Sequence, residues 1–110
     1  MKGTYLGEFE ELLLLVILIL AEEAYGVSIK EEIHRRTDRS ISRGALHTSL
    51  TRLEKKGYIT SDFGEATPVR GGRRKKYYTL TQEGKKVLEA VRNLRENLWK
   101  AVPNYKLGLQ

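Results

Sequence analysis

Residues 42–59 read SRGALHTSLTRLEKKGYI, and two periodicities inside this stretch decide the fold. Leu46, Leu50 and Leu53 recur at i, i+4 and i+7, the apolar stripe of an amphipathic helix. Ser42 stands ahead of the stripe as an N-cap, with an oxygen able to take one of the first unpaired backbone N–H groups. Lys55-Lys56-Gly57 ends it, with cations at the negative end of the helix dipole and a glycine free to take positive φ. The opposite face carries Arg43, His47, Thr48, Thr51 and Arg52, and is polar and short-armed toward its start. From Tyr58 the period becomes two: Ile59, Ser61 and Phe63 alternate with Tyr58, Thr60 and Asp62.

Downstream, residues 75–80 (KKYYTL) place Tyr78 and Leu80 on one face of a second strand. Gly64–Arg74, with Pro68 and Gly71-Gly72, reads as the long tip of a hairpin joining the two. Arg70, Arg73, Arg74, Lys75 and Lys76 crowd into seven residues there, and no acid occurs from Ala66 to Gln82.

Upstream, Ser28-Ile29-Lys30-Glu31 has the form of a capping box and predicts a helix from Ser28 to about Asp38, with Ile29 and Ile33 on its inner face. An earlier helix is expected over about Glu8–Ala24, its leading glutamates favoured by the positive end of the dipole. The run Leu12–Ala21 (LLLLVILILA) is apolar all round and predicts burial on most sides, in the core or in a subunit contact. At ten residues it is half of the ~20 that span a bilayer. The acidic flanks do not fit a secretory leader, so the chain is expected to be mature, soluble and cytoplasmic, without a membrane partner.

The last helix should start after Thr81 and run to about Val102, ahead of Pro103. Val87, Val91, Leu94 and Leu98 follow a 4-3-4 spacing, the seam of a helix that packs on another helix. At ~1.5 Å per residue it is about 30 Å long, more than the small body can cover, which points to a partner chain.

The totals agree. The chain has 110 residues and is 40% apolar, enough for one domain with a modest core. Residues 1–30 hold two Lys against five Glu, whereas residues 31–110 hold 18 basic against nine acidic side chains. Such a basic body suits a polyanion. With no cysteine and only His34 and His47, neither a disulfide framework nor a zinc spacing exists, and no metal or other cofactor is expected. Gly71-Gly72-Arg73-Arg74-Lys75 lacks the G-K-[ST] of a P-loop, and no nucleophile sits in a catalytic signature, so an enzyme is not expected.

Three helices, a β-hairpin and a long helix, in that order, make a mainly α chain with a small hairpin. This is a winged helix-turn-helix, over residues 1–80, with a C-terminal dimerisation helix and tail, 81–110, in one compact unit. Its third helix can enter a major groove of double-stranded DNA. Ser42, Arg43, Gly44, His47, Thr48 and Thr51 are its candidate contacts, of which Arg43, His47, Thr48 and Thr51 can reach base edges. Arg70, Gly72, Arg73, Arg74 and Lys75 are the candidate wing contacts to phosphate. A winged-helix module whose basic face meets an acidic protein is the alternative.

The chain also resembles the PadR-like transcriptional regulators. The resemblance rests on Tyr25-Gly26, Gly44-Ala45-Leu46-His47, Leu50–Ile59 (LTRLEKKGYI), Gly71–Thr81 (GGRRKKYYTLT) and Gly84. It departs from the family pattern at Ala45, in place of Thr, and at His47, in place of Tyr. A DNA contact made there by the family's Thr or Tyr therefore does not carry over unchanged. The short C-terminal region is similar to that of the subgroup with a single dimerising helix. The resemblance implies a homodimer in which that helix packs near the partner's first helix. Leu13, Val16, Ile17, Leu20, Val87, Val91, Leu94 and Leu98 are the interface residues expected on that basis. It also implies repression of nearby genes, relieved by a small molecule. Aromatic side chains on this helix line a pore between subunits in that subgroup, which makes Trp99 the candidate effector residue for a small aromatic ligand.

Overall fold

A computed structural model describes residues 6–64, 74–104 and 108. Helix α1 (Glu8–Leu20) opens at Gly7, whose N–H donates to Glu10 Oε1 at 2.9 Å. The three glutamates of its first turn do more than face the dipole. Glu8 pairs with Arg39 at 2.6 Å, Glu10 with Lys56 at 2.8 Å and Glu11 with Arg95 at 2.8 Å, so one helical turn grips three other segments. The helix stops at Leu20, earlier than the expected Ala24, because Ala21 turns to φ 55° and leads into a single 3-10 turn over Ala21–Glu23.

Helix α2 (Gly26–Thr37) starts two residues before the expected Ser28. Ser28 is not its N-cap. The Tyr25 N–H donates to Ser28 Oγ at 3.0 Å, and the Ser28 hydroxyl donates back to the carbonyl of Glu23. The Ser28–Glu31 capping box is thus corrected, and the cause lies in tertiary structure. Tyr25 is held extended by a bridge to Tyr77, and the Tyr78 N–H donates to the Ala24 carbonyl at 2.9 Å, so the helix begins directly after Tyr25. Asp38 closes α2 in the left-handed conformation (φ 63°), one that Asp tolerates better than most residues.

Helix α3 (Arg43–Lys55) has the ends that its sequence predicts. Ser42 Oγ accepts from the Ala45 N–H at 3.1 Å. At the other end Gly57 takes φ 83°, its N–H reaches Glu54, and the Tyr58 N–H reaches Leu53, both at 3.0 Å. This pair of bonds is the Schellman closure. Strands β1 (Ile59–Phe63) and β2 (Lys76–Leu80) pair antiparallel, in register from Ile59 with Leu80 to Phe63 with Lys76.

Helix α4 (Gln82–Ala101) is capped by Thr81, whose hydroxyl oxygen accepts from the Gly84 N–H at 3.0 Å. The core gathers Leu13, Leu14 and Ile17 of α1, Ile29 and Ile33 of α2, and Leu46, Leu50 and Leu53 of α3. Tyr58, Ile59, Tyr78 and Leu80 close it from the hairpin, with Val87 and Leu88 from α4. After Leu88 the burial of α4 ends: Val91 is half-buried and residues 92–101 are all exposed. The helix leaves the body, as its length predicts.

Candidate nucleic-acid interface

Burying Leu46, Leu50 and Leu53 turns the other side of α3 outward. Arg43, Gly44, His47 and Thr48 are exposed on its first two turns, and Thr51 is half-buried behind them. Ser42 is also exposed, but its oxygen is committed to the helix end. Four of the six expected contacts therefore form one open, polar surface, and no ion pair among the described residues engages Arg43. A bare Gly44 and short Thr48 keep this surface low, which permits close approach of a groove wall.

The expected wing residues divide. Arg70, Gly72 and Arg73 lie outside the described residues. Arg74 and Lys75 stand at the base of the hairpin, and both are tied to it. Arg74 Nε donates to the Gly64 carbonyl at 3.0 Å. The Lys75 ammonium sits 4.2 Å from the centre of the Tyr25 ring, an attraction between a cation and the negative ring face. The Tyr25 side chain holds the Lys75 pKa above the usual lysine value. Tyr25 in turn packs edge-on against Tyr77, with centroids 5.5 Å apart. Lys75 thus joins the wing to the start of α2.

Sequence reasoning missed Phe63. It is 60% exposed at the end of β1, with Arg74 and Lys76 each 5.9 Å from its ring. It shares the alternating set of Ile59 and Ser61, but it lies beyond the point where the core stops. Nothing in the local sequence marks that limit.

The residues expected at a subunit contact also divide. Leu13, Val16, Ile17 and Val87 are at most 5% exposed and pack inside the chain. An apolar helix of this kind buries one side in its own body and leaves another. The outward apolar side of α1 is Leu15, Leu18 and Ile19, with Leu20 half-buried. Leu94, Leu98 and Trp99 of α4 are about three-fifths exposed, and Val91 is half-buried. Trp99 shares a groove of about 620 Å³ with Leu15 and Leu18. Among the described residues, no group of His, Cys, Asp or Glu is placed to hold a metal ion, and no helix is long and apolar enough to cross a membrane.

The family model of the PadR-like transcriptional regulators matches residues 14–90, from the buried side of α1 to the first half of α4. The chain belongs to that family. It is a family of transcription regulators, not of enzymes. A crystal structure of a PadR family transcription regulator from Clostridium difficile is 31% identical and has a TM-score of 0.69. That match covers 90% of this chain and 98% of the other. A winged-helix DNA-binding protein from STIV is 23% identical with a TM-score of 0.65, over 86% of this chain and 94% of its own, and shares the fold alone. An uncharacterized protein of Lysinibacillus sphaericus is 40% identical over 73 residues. That match spans 64% of this chain and 64% of the relative's length. The two-stranded hairpin and long last helix are thus those of a PadR-type winged helix.

Proposed function

We propose that this PadR-like regulator binds duplex DNA as a homodimer on an inverted-repeat operator and represses the genes beside it. The observation that carries the proposal is the surface of α3. Arg43, Gly44, His47 and Thr48 are exposed together on a helix whose other side is locked into the core. Arg and His can donate to base edges, and a Thr methyl can meet the thymine methyl. The basic hairpin beside it supplies attraction to phosphate, the larger part of the affinity for any duplex.

Dimerisation is supported by the apolar surface left uncovered: Leu15, Leu18 and Ile19 on α1, and Leu94, Leu98 and Trp99 on α4. A soluble chain seldom leaves so many large apolar side chains on neighbouring helices without a partner. A two-fold dimer presents two copies of α3, which asks for two half-sites in opposite orientation. Release by a planar aromatic molecule is supported by Trp99, which is 62% exposed and lines the α1–α4 groove, because an indole is a large π-surface suited to stacking.

The test is binding to the duplex that flanks the chain's own gene, against a scrambled duplex of equal length. Specific binding about 10³-fold or more above the scrambled control supports the proposal. Weak binding that ignores sequence favours a protein-interaction module instead. For the effector, planar dyes and aromatic acids should quench Trp99 emission and release the operator; ligands that do neither refute that part.

A further inference from the structure

A second groove, of about 550 Å³, lies between α2 and α3, on the side of the molecule that carries Arg43 and His47. Its volume is within the range of small-molecule sites. Its lining is two-sided. Val27, Leu46 and Leu50 give an apolar wall, and Val27 is 52% exposed. Lys30 and Arg43 stand at the rim with His34 and His47, against the single acid Glu31. Neither Lys30 nor Arg43 enters an ion pair among the described residues. His34 Nδ1 lies 3.4 Å from Ser40 Oγ, which gives this ring a neighbour at the far end of the groove.

We propose that this groove binds an aliphatic monocarboxylate, with its chain on Val27, Leu46 and Leu50 and its carboxylate between Lys30 and Arg43, and that the ligand competes with DNA. The apolar wall needs a partner that hydrogen bonds alone do not supply. Two unpaired cations against one acid select a guest with negative charge. The choice of an aliphatic chain follows from which side chains are exposed. Tyr78 is the one aromatic ring in the apolar wall and is only 6% exposed; Leu46 and Leu50 are as deeply set, at 4% and 2%, and the apolar side chain the groove exposes most is Val27, at 52%, so the contact on offer is an aliphatic one. Competition follows from the sharing of Arg43 and His47 with the surface assigned to base recognition, so this part rests on the DNA reading. The site is distinct from the Trp99 groove, which lies between α1 and α4.

The experiment uses the full chain and octanoate as the probe, with octanol and acetate as controls at constant ionic strength. Nuclear magnetic resonance follows the imidazoles of His34 and His47, the methyls of Val27 and the indole of Trp99. Octanoate should shift the His34, His47 and Val27 signals saturably and leave Trp99 in place. Octanol and acetate should bind about tenfold more weakly or worse, and Lys30→Gln should weaken octanoate by a similar factor, as expected for one charged hydrogen bond. No saturable shift, or equal binding of octanol, overturns the site. A second titration measures operator affinity, which saturating octanoate should lower about tenfold or more, and less in Lys30→Gln. Octanoate that fills the groove without changing operator affinity overturns the competition. A chain that binds octanoate in this way but binds no duplex keeps the ligand site and overturns the DNA reading.

Discussion

A β-carbon placed on Gly84 would lie 2.1 Å from the carbonyl oxygen of Tyr58. That carbonyl cannot easily move aside, because it accepts from the Thr81 N–H at 3.0 Å, while the Thr81 hydroxyl donates to Gly57 O at 2.6 Å. The start of α4 is therefore clamped onto the turn that ends α3. Gly84→Ala should cost about 1–3 kcal/mol, the usual range for forcing an added methyl into a packed site. Thermal unfolding should fall by roughly 4–8 °C per kcal/mol for a domain of this size. An unchanged midpoint would show that the two elements are not in contact as described.

The burial of α1 separates two kinds of apolar substitution. Leu13 is fully buried, so Leu13→Asp should unfold the chain by placing an unpaired charge in the core. Leu94 and Leu98 are exposed in the single chain. Leu94→Asp with Leu98→Asp should leave the helical circular-dichroism signal of the body intact and convert a dimer to a monomer in sedimentation. If that variant remains a dimer at micromolar concentration, the assembly does not use this part of α4.

The wing and α3 should fail in different ways on DNA. Arg70→Gln with Arg73→Gln should weaken binding to every duplex, and each phosphate no longer neutralised should reduce the salt slope by about 0.9. His47→Ala or Thr48→Ala should change which base is preferred, at about 1–3 kcal/mol for each base edge no longer read. Equal losses on specific and scrambled duplexes in both classes would contradict this division. Lys75→Gln should do something else again, loosening the packing of the wing base on Tyr25.

Acid should release α1 from the elements it holds. Burial pushes the Glu10 carboxyl up, but the Lys56 ammonium, the Gly7 N–H and the charge of Arg52 outweigh it and leave the pKa below the usual 4.5. The guanidinium of Arg39 lowers that of Glu8 in the same way. A carboxyl with a lowered folded-state pKa adds stability that is present above pH 4.5 and is lost as the pH falls through the lowered value. Denaturant titrations at descending pH should show this loss below pH 4.5, and Glu10→Gln should reduce its slope. An identical slope in the variant would mean that the Glu10–Lys56 pair contributes nothing.

The parts of the fold that were legible in the sequence are those set by local chemistry. Ser42, the leucine stripe and Gly57 define α3 because each acts within a few residues of itself. The alternation from Tyr58 to Phe63 marks β1 for the same reason. The start of α2 was not legible, because it is set by Tyr25 bonding across to Tyr77, more than 50 positions away in the chain. The outward face of α1 was hidden by its uniform apolar composition, which carries no periodicity to separate Leu13 from Leu15. The partners of Glu8, Glu10 and Glu11 were equally hidden, since a dipole argument explains their place but not the cations they reach. At the candidate interface, exposure of Arg43, His47 and Thr48 followed from the leucine stripe. The tethering of Lys75 did not, because it depends on the path of the chain before α2.

The most direct test of a dimeric, sequence-reading regulator is the number of chains bound per operator. Isothermal titration of the protein into the operator duplex from beside its own gene should give two chains per duplex. Halving the duplex to one half-site should lower the affinity sharply. One chain per duplex, or the same affinity for the half-site and for a scrambled duplex, would contradict the account.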